Sequence, residues 1–572
     1  MQGQTPGRLG PQQRTDSWAA LDGGRVDVLV VGGGVTGAGV ALDAATRGLS
    51  VALVEARDLA SGTSSRSSKL FHGGLRYLEM LDFGLVREAL HERDLLLTKI
   101  APHLVTPVQF LYPLVHRYWE RPYVGAGLML YDALAGRSPM PRHRHLSRTT
   151  ALARCPALRT DALVGALSYF DASTDDARFT VDVARTAAAH GAIVRPSTSV
   201  EALLKREGRV TGARLRDVDT GEVICVDAGV VIGCTGVWSD HLHRMAGVPN
   251  PFKVRASKGV HLLVPRAAIQ SETGLILRTE KSVLFVVPWG EHWVVGTTDT
   301  PWDLELEHPA ATRADIDYIL DRLNRVLQRP LTDDDVVGVY AGLRPLVVPG
   351  DADGKGTTTL SREHTVAHPV PGLVSVAGGK YTTYRVMAKD AIDEAVKDLP
   401  GDVPACVTEE IPLLGAVGHA AVRNRLPVLS RRTGVPVELL ERMLGRYGDL
   451  LEEVLEPIGD DPTLAHPVPG APQHVMAELV YGVTHEGALH LDDLLARRTR
   501  ISVDTSHRGV DSARPVAEAV AGVLGWTDGD LECEVDAYLR RVEQERASQT
   551  EGADAAAQTA RSVARDLRAT TA

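Results

Sequence analysis

Val28-Leu29-Val30-Val31-Gly32-Gly33-Gly34-Val35-Thr36-Gly37, answered by Glu55 at the end of the next apolar run, decides the fold. The apolar residues read as a buried strand. The glycines that follow have G-x-G-x-x-G spacing and open a helical pattern, and Val51–Val54 is a second apolar strand that delivers the acid. That order is the dinucleotide-binding βαβ unit. Gly32 permits the tight turn, Gly34 lets the backbone come close to a pyrophosphate, and Gly37 lets the helix pack near the strand. The open N–H groups and dipole at the helix start favour the pyrophosphate charge, and Glu55 can accept hydrogen bonds from a ribose diol.

Outward from this unit, a chain of 572 residues has room for two or three domains. The net charge of −11 argues against general nucleic-acid binding while leaving local basic patches open. Cys155, Cys225, Cys234, Cys406 and Cys533 are scattered without metal-ligand spacing, so a reduced setting and no metal site are expected. The sequence shows no signal-peptide pattern and no apolar run of transmembrane length, and peripheral contact is the expected mode of any membrane association.

Residues 1–24 are rich in Gln, Gly and Pro and read as a frayed tail with a short helix near Ser17–Leu21. Apolar spacing predicts helices over Arg87–Leu97, Thr180–His190 and 313–328. Alternation predicts hairpins over 192–233, with turns at Glu207-Gly208 and Asp219–Gly221, and strands at Val260–Val264, Val283–Val287 and Trp293–Gly296. Leu373–Val376 runs into Gly378-Gly379, a second strand–glycine–helix junction. Composition shifts near Pro400: residues 401–545 read as helices without a strand period, and 546–572 as a tail.

Only one glycine fingerprint is present. Val230–Gly236 comes nearest to a second and reads as a strand ending against a cofactor at Gly236. One dinucleotide must therefore serve both half-reactions. Thr63-Ser64-Ser65-Arg66-Ser67-Ser68-Lys69 places hydroxyls and two cations beside the expected pyrophosphate and ribityl chain, which favours FAD over a nicotinamide nucleotide.

Five glycine-flanked polar clusters then interrupt apolar strands: His72-Gly73-Gly74-Leu75-Arg76-Tyr77, Lys258-Gly259-Val260-His261, Gly296-Thr297-Thr298-Asp299, Gly342-Leu343-Arg344-Pro345 and Gly378-Gly379-Lys380-Tyr381-Thr382-Thr383. Taken singly, each has an ordinary explanation: Arg344 as a surface ion pair, His261 as a hydrogen-bonded core histidine, Lys380 as a solvated cation. Their recurrence shifts the balance. Glycine admits close backbone approach to a ligand, and arginine at strand ends suits an anionic substrate because guanidinium pairs bidentately with phosphate or carboxylate.

These motifs, in this order, resemble FAD-dependent sn-glycerol-3-phosphate dehydrogenase of the D-amino-acid-oxidase-like flavoproteins. The likeness spans about residues 25–400, with a weaker one around Glu478–Ile501 to that family's C-terminal domain. It implies an α/β fold: a Rossmann-like FAD-binding domain interleaved with an antiparallel-sheet substrate domain over 25–400, and a helical C-terminal domain over 401–545. It implies oxidation of sn-glycerol 3-phosphate to dihydroxyacetone phosphate, with hydride passing from C2 to flavin N5. Arg344 and Arg362 match the family's phosphate clamp, and Arg76 and Tyr77 further pocket residues. Lys380 matches the lysine beside flavin and substrate, and His261 the histidine facing the substrate, expected to take the C2 hydroxyl proton. The expected cofactor contacts are Gly32, Gly34, Gly37, Glu55, Thr63, Ser64, Ser65, Ser68, Lys69, Gly236, Gly379, Lys380 and Thr382. Val260 stands where relatives often have serine and Thr36 where some have asparagine, and neither change removes a needed charge.

The resemblance leaves the electron acceptor between a membrane quinone and oxygen. Quinone is favoured, because the insertion typical of the oxidases is not seen. Aromatic and aliphatic residues of 117–148 (Tyr118, Trp119, Tyr123, Leu128, Met129 and Leu130) mix with Arg117, Arg121, Arg137, Arg142, Arg144 and Arg148, as suits an anionic bilayer surface. The expectation is a cytoplasmic protein held peripherally at the inner face of the membrane. The assembly state stays open, a homodimer among the options. The alternatives are a glycerol-3-phosphate oxidase, an amino-acid or amine oxidase of the same superfamily, and a flavin-binding scaffold without activity.

Overall fold

A computed structural model describes residues 6–161, 163–279, 283–348, 363–564 and 567–568, with the side chain of Arg76 outside the description. The opening strand, Arg25–Val31, lies between two parallel neighbours. Val28–Val31 registers with Val230–Gly233 on one side and with Val51–Val54 on the other. A parallel strand covered on both faces reads as a continuous apolar run, and Val28, Leu29 and Val30 are fully buried. Leu373–Gly378 and Ile193–Arg195 extend the sheet in parallel. Antiparallel His364–Val370 and the hairpin Thr198–Arg206/Arg209–Asp217 complete eight strands among the described residues. The helix Val35–Thr46 covers this sheet with small residues. A Cβ on Gly39 would stand 2.8 Å from the ring of Tyr384, so glycine there sets how close the helix Tyr384–Ala395 approaches.

The chain leaves this sheet and returns to it, building a second one in between. Lys253–Pro265 runs antiparallel to Gly338–Val348 and to His292–Gly296, and ten described strands spread from it. The sheet is antiparallel as expected, except that Gly274–Arg278 lies parallel to Thr106–Leu114. Its strands come from residues 70–71, 106–173 and 253–348, and those of the first sheet from 25–54, 193–233 and 364–378, so the two units interleave along the chain.

Beyond residue 400 helices dominate, but Pro467–Val468 and Ala471–Val475 form a small hairpin that the sequence pattern does not announce. Buried ion pairs dock this helical region on the first sheet's unit. Arg498 meets both oxygens of Asp58 at 2.7 and 2.8 Å, Arg500 meets Asp176 at 2.7 Å, and Glu486 meets Arg178 at 2.6 Å.

Both expected tails are structured over their described residues. Pro11–Leu21 is one helix, pinned by Arg14 to Asp217 at 2.6 Å and by the buried Leu21, and Leu9 bridges to Glu486. At the other end Asp554–Arg561 is a helix whose Ala557 packs with Trp302, Ala310 and Leu343, and Arg568 grips Asp493 at 2.6 and 2.7 Å. Composition suggested tails because polar, Ala-rich and Gly-rich stretches bury little of their own surface. Here both segments borrow partners from distant parts of the chain.

Candidate active site

The glycine turn has the geometry its spacing implies. Gly32 sits at φ +112°, and a Cβ there would lie 2.6 Å from the Cys234 carbonyl oxygen. A Cβ on Gly37 would lie 1.9 Å from the Gly32 oxygen. No side chain larger than hydrogen fits either place. Gly34 caps the helix Val35–Thr46 without a side-chain hydrogen bond of its own, and the Val35 amide donates to Ser64 Oγ at 2.9 Å. The helix start is thus a polar cradle lined by backbone donors and a hydroxyl, which fits a pyrophosphate. Glu55 receives the amide hydrogens of Gly33 at 2.6 Å and Arg57 at 2.9 Å, one on each oxygen. Burial raises its pKa against those two bonds. Each oxygen keeps a further lone pair for a sugar hydroxyl. Gly236 begins a short turn at φ +55° after the strand Val223–Gly233, with open space where a Cβ would point.

The distant polar clusters meet. Ser68 Oγ and His261 Nε2 lie 2.8 Å apart. Thr63 donates to the Leu343 carbonyl at 2.6 Å, and the His72 amide donates to Thr382 Oγ1 at 3.3 Å. Lys380 Nζ stands 3.8 Å over the ring of Tyr77. That pair depends on Gly74, at φ +80°, where a Cβ would lie 2.2 Å from Tyr77. Gly379, at φ +86°, lets the chain turn against Met387.

His261 and Arg344 belong to neighbouring strands. His261 registers with Tyr340 and with Gly296, and Ser257 with Arg344. The imidazole is 2% exposed and stacks on Tyr340, with centroids 4.9 Å apart and planes at 14°. Burial, then the positive charges of Arg344 and Lys69, push its pKa well below the usual histidine value. That shift favours the neutral ring. Arg344 donates to the Thr298 carbonyl at 3.2 Å and to Thr297 Oγ1 at 3.1 Å, with Asp299 at 3.8 Å. Two glycines make room: a Cβ on Gly296 would lie 2.4 Å from the His261 ring, and one on Gly259 would lie 2.6 Å from Arg344 Nη2.

Lys69, an expected cofactor contact, also has a partner within the protein. Lys69 is fully buried, bonded to Asp176 at 2.7 Å and facing the rings of Trp289 and Tyr340. An ammonium sealed from water needs a counter-ion, and Asp176, far along the sequence, supplies it. Ser68 and Thr63 likewise spend the hydroxyl bonds described above on His261 and the Leu343 carbonyl. Ser65 is buried, its carbonyl accepting from Arg500 at 2.8 Å. Arg362 and the side chain of Arg76 lie outside the described residues. Thr297 belongs to the cluster Gly296–Asp299, whereas Tyr340 and Asp176 complete the arrangement without having stood out in the sequence, since neither carries a local mark of its distant partner. His91, Glu92 and Glu409 come within metal-binding distance of one another, but Glu92 and Glu409 already clamp Arg385.

Residues 27–385 match the family model described as FAD dependent oxidoreductase, and 406–530 match the C-terminal domain of alpha-glycerophosphate oxidase. Glycerol-3-phosphate dehydrogenase 2 of Mycobacterium tuberculosis is 55% identical over 99% of this chain and 97% of its own length. The chain belongs to the FAD-dependent glycerol-3-phosphate dehydrogenases. The human mitochondrial glycerol-3-phosphate dehydrogenase is 37% identical over 88% of this chain and 71% of its own. A glycerol-3-phosphate dehydrogenase from Bacillus halodurans, solved with FAD, superposes with a TM-score of 0.77 at 28% identity, covering 94% of this chain and 98% of that one. FAD is the cofactor of this glycerol-3-phosphate dehydrogenase, and the cradle at Gly32–Gly37 fits its pyrophosphate.

On the second sheet's unit the helix Glu120–Ala135 presents two faces. Val124, Leu128 and Tyr131 are buried, whereas Tyr123, Met129 and Leu130 are exposed. Tyr123 reaches Glu79 at 3.1 Å and so joins this face to Met80, Leu81 and Phe83. Leu81 is 73% exposed, Met129 64% and Tyr118 85%. Among the described residues no helix is long and apolar enough to cross a membrane.

Proposed function

We propose that this protein oxidises sn-glycerol 3-phosphate to dihydroxyacetone phosphate at the junction of the two sheets. The observation that carries the reading is a buried histidine, His261, and a guanidinium, Arg344, on adjacent strands. Arg344 binds the phosphate, with Arg362 as its expected partner. FAD, when bound, supplies the acceptor for the hydride leaving C2. His261 takes the proton of the C2 hydroxyl; Ser68 at Nε2 sets its tautomer and Tyr340 holds its plane. A phosphate dianion on Arg344 offsets one of the two charges that depress His261, so the imidazole gains basicity as substrate arrives. Lys380, held over Tyr77, supplies positive charge for the developing alkoxide.

Arg344→Ala is the direct test. It should lower kcat/KM by the equivalent of ~2–5 kcal/mol while FAD stays bound; near-normal kcat/KM would remove Arg344 as the clamp. The Arg344–His261 pair also favours this reading over an inactive flavin scaffold, which needs no substrate clamp.

A membrane quinone is the proposed electron acceptor, reached by peripheral attachment to the cytoplasmic face. The exposed apolar residues around Leu81, Tyr118 and Met129 support this, together with the basic residues of 117–148. Flotation with anionic vesicles should recover the protein at low salt and less of it at high salt. Absence from the floated fraction in both would contradict the attachment.

A further inference from the structure

The loop Ser61–Arg66 has two working faces. On one, Gly62 packs near Trp238 and Ser64 receives the Val35 amide, which is the cofactor side. On the other, Ser61, Ser65 and Arg66 line a separate cavity of about 170 Å³. Its remaining walls include His308–Ala311 and Val339–Ala341 from the second sheet's unit, the segment Arg497–Val503, the helix Asp528–Ser548 and, near the C-terminus, Arg561, Ala564, Leu567 and Arg568. The cavity thus lies where all three parts of the molecule converge.

Its lining is unusual in charge. Among the described residues, seven arginines line it against three carboxylates, Asp492, Glu534 and Glu545. Some of this charge is answered from behind the wall: Arg497 by Asp58 and Asp493, Arg500 by Asp176, Arg568 by Asp493. The inner positions are answered less completely. Glu545 is shared by Arg541 at 2.7 Å and Arg561 at 3.2 Å, and Asp492 by Arg541 at 3.0 Å and Arg497 at 2.8 Å. Arg541 Nη2 is buried and makes no hydrogen bond among the described residues. Arg66 donates only to a backbone oxygen, that of Glu307 at 3.3 Å, and meets no carboxylate among the described residues. Burial, then the charges of Arg561, Arg497 and Arg57, lower its pKa to about 10. Guanidiniums crowded this way, with donor nitrogens left over, form a receptor for an acceptor-rich dianion.

We propose that this cavity binds a small anion of the phosphate class, distinct from the substrate phosphate at Arg344. A phosphate or a short phosphorylated metabolite fits the volume, and its oxygens would accept from Arg66 on the loop and Arg541 on the helix Asp528–Ser548. Because Ser61–Arg66 is also a wall of the cofactor cradle, the anion braces the loop that holds FAD. It also fastens the C-terminal segment over the junction, since Arg561 and Arg568 come from that segment. The site is independent of the substrate assignment; a failure of that assignment would show as unaltered turnover in Arg344→Ala.

The test uses inorganic phosphate, titrated calorimetrically into FAD-loaded Arg344→Ala protein, with chloride at matched ionic strength as reference. The expected result is saturable one-to-one binding that weakens at least tenfold when Arg66→Gln or Arg541→Gln is added. Should Arg66→Gln fail to fold, Arg541→Gln on the helix Asp528–Ser548 carries the comparison, with retained flavin colour as the control for folding. No saturable phosphate binding beyond chloride, or binding that neither substitution weakens, overturns the proposal.

Discussion

Glycine decides the site's geometry more than any charged residue does. Gly259 and Gly296 have no positive φ, yet each is the reason a functional side chain has room. A methyl group on Gly259 would stand 2.6 Å from Arg344 Nη2 and 2.7 Å from Thr297 Oγ1. Gly259→Ala should therefore displace Arg344 without removing a charge. A catalytic group misplaced by about 1 Å costs on the order of 10²-fold in rate, so kcat/KM for glycerol 3-phosphate should fall by about that factor with flavin content unchanged. A wild-type value would show that the guanidinium has slack. At this scale the sequence was legible where glycine flanked the residue: His261, Arg344 and Lys380 all stood out for that reason. Lys69 stood out as a cation beside the expected cofactor, but its burial against Asp176 did not. Its partner Asp176 is more than a hundred residues away, and nothing local announces a pair of that kind.

Among the elements, the helical C-terminal region is tied to the cofactor-binding unit by charge as well as by apolar packing. Arg498 and Asp58 are both fully buried and bonded through two parallel hydrogen bonds, with Arg497 adding a third contact to the same carboxylate. Breaking a buried pair from one side strands the other charge, which costs about 3–5 kcal/mol. Asp58→Ala should lower stability by that amount in chemical denaturation, with loosening of the C-terminal helices detectable as faster amide exchange there. A denaturation midpoint equal to wild type would mean that water or a neighbouring acid replaces Asp58. The helices themselves were legible, because apolar spacing marks them. The hairpin at 467–475 was not, being too short for alternation to register. The two terminal segments were misjudged for a physical reason: the helices Pro11–Leu21 and Asp554–Arg561 are held by partners elsewhere in the chain, and composition sees only the segment itself.

For the whole molecule, buried histidines set a pH optimum for stability. Burial, aided by His419 and Arg178, lowers His103 to about 3. Burial and Arg442 lower His474 to about 4, and burial with Arg185 lowers His485 to about 3. A depressed folded-state pKa means that the unfolded chain binds more protons below pH 6.5, so stability is full above that pH and is lost as pH falls toward 3. His490 runs the other way. Burial and Arg568 oppose its charge, but hydrogen bonds to Asp219 and Glu534 hold it at about 9. Its contribution is full below pH 6.5 and is lost as pH rises through 9. Melting temperatures measured from pH 4 to 9 should therefore peak near pH ~6.5 and fall more steeply on the acid side. A flat acid limb would mean that these histidines take up protons in the folded state as readily as in the unfolded chain. The architecture at this scale was legible from one glycine fingerprint and the order of five polar clusters. The arginine-lined cavity was not, because its walls come from all three parts of the chain.

The central claim is that a phosphorylated alcohol reduces the flavin at the site built by His261 and Arg344. Its most direct test is anaerobic mixing of the FAD-loaded protein with glycerol 3-phosphate while the visible flavin absorbance is followed. Bleaching by glycerol 3-phosphate, absent with a panel of D-amino acids and strongly slowed in His261→Ala, is the expected result. Flavin colour that persists with glycerol 3-phosphate, or that an amino acid bleaches equally well, would contradict the account.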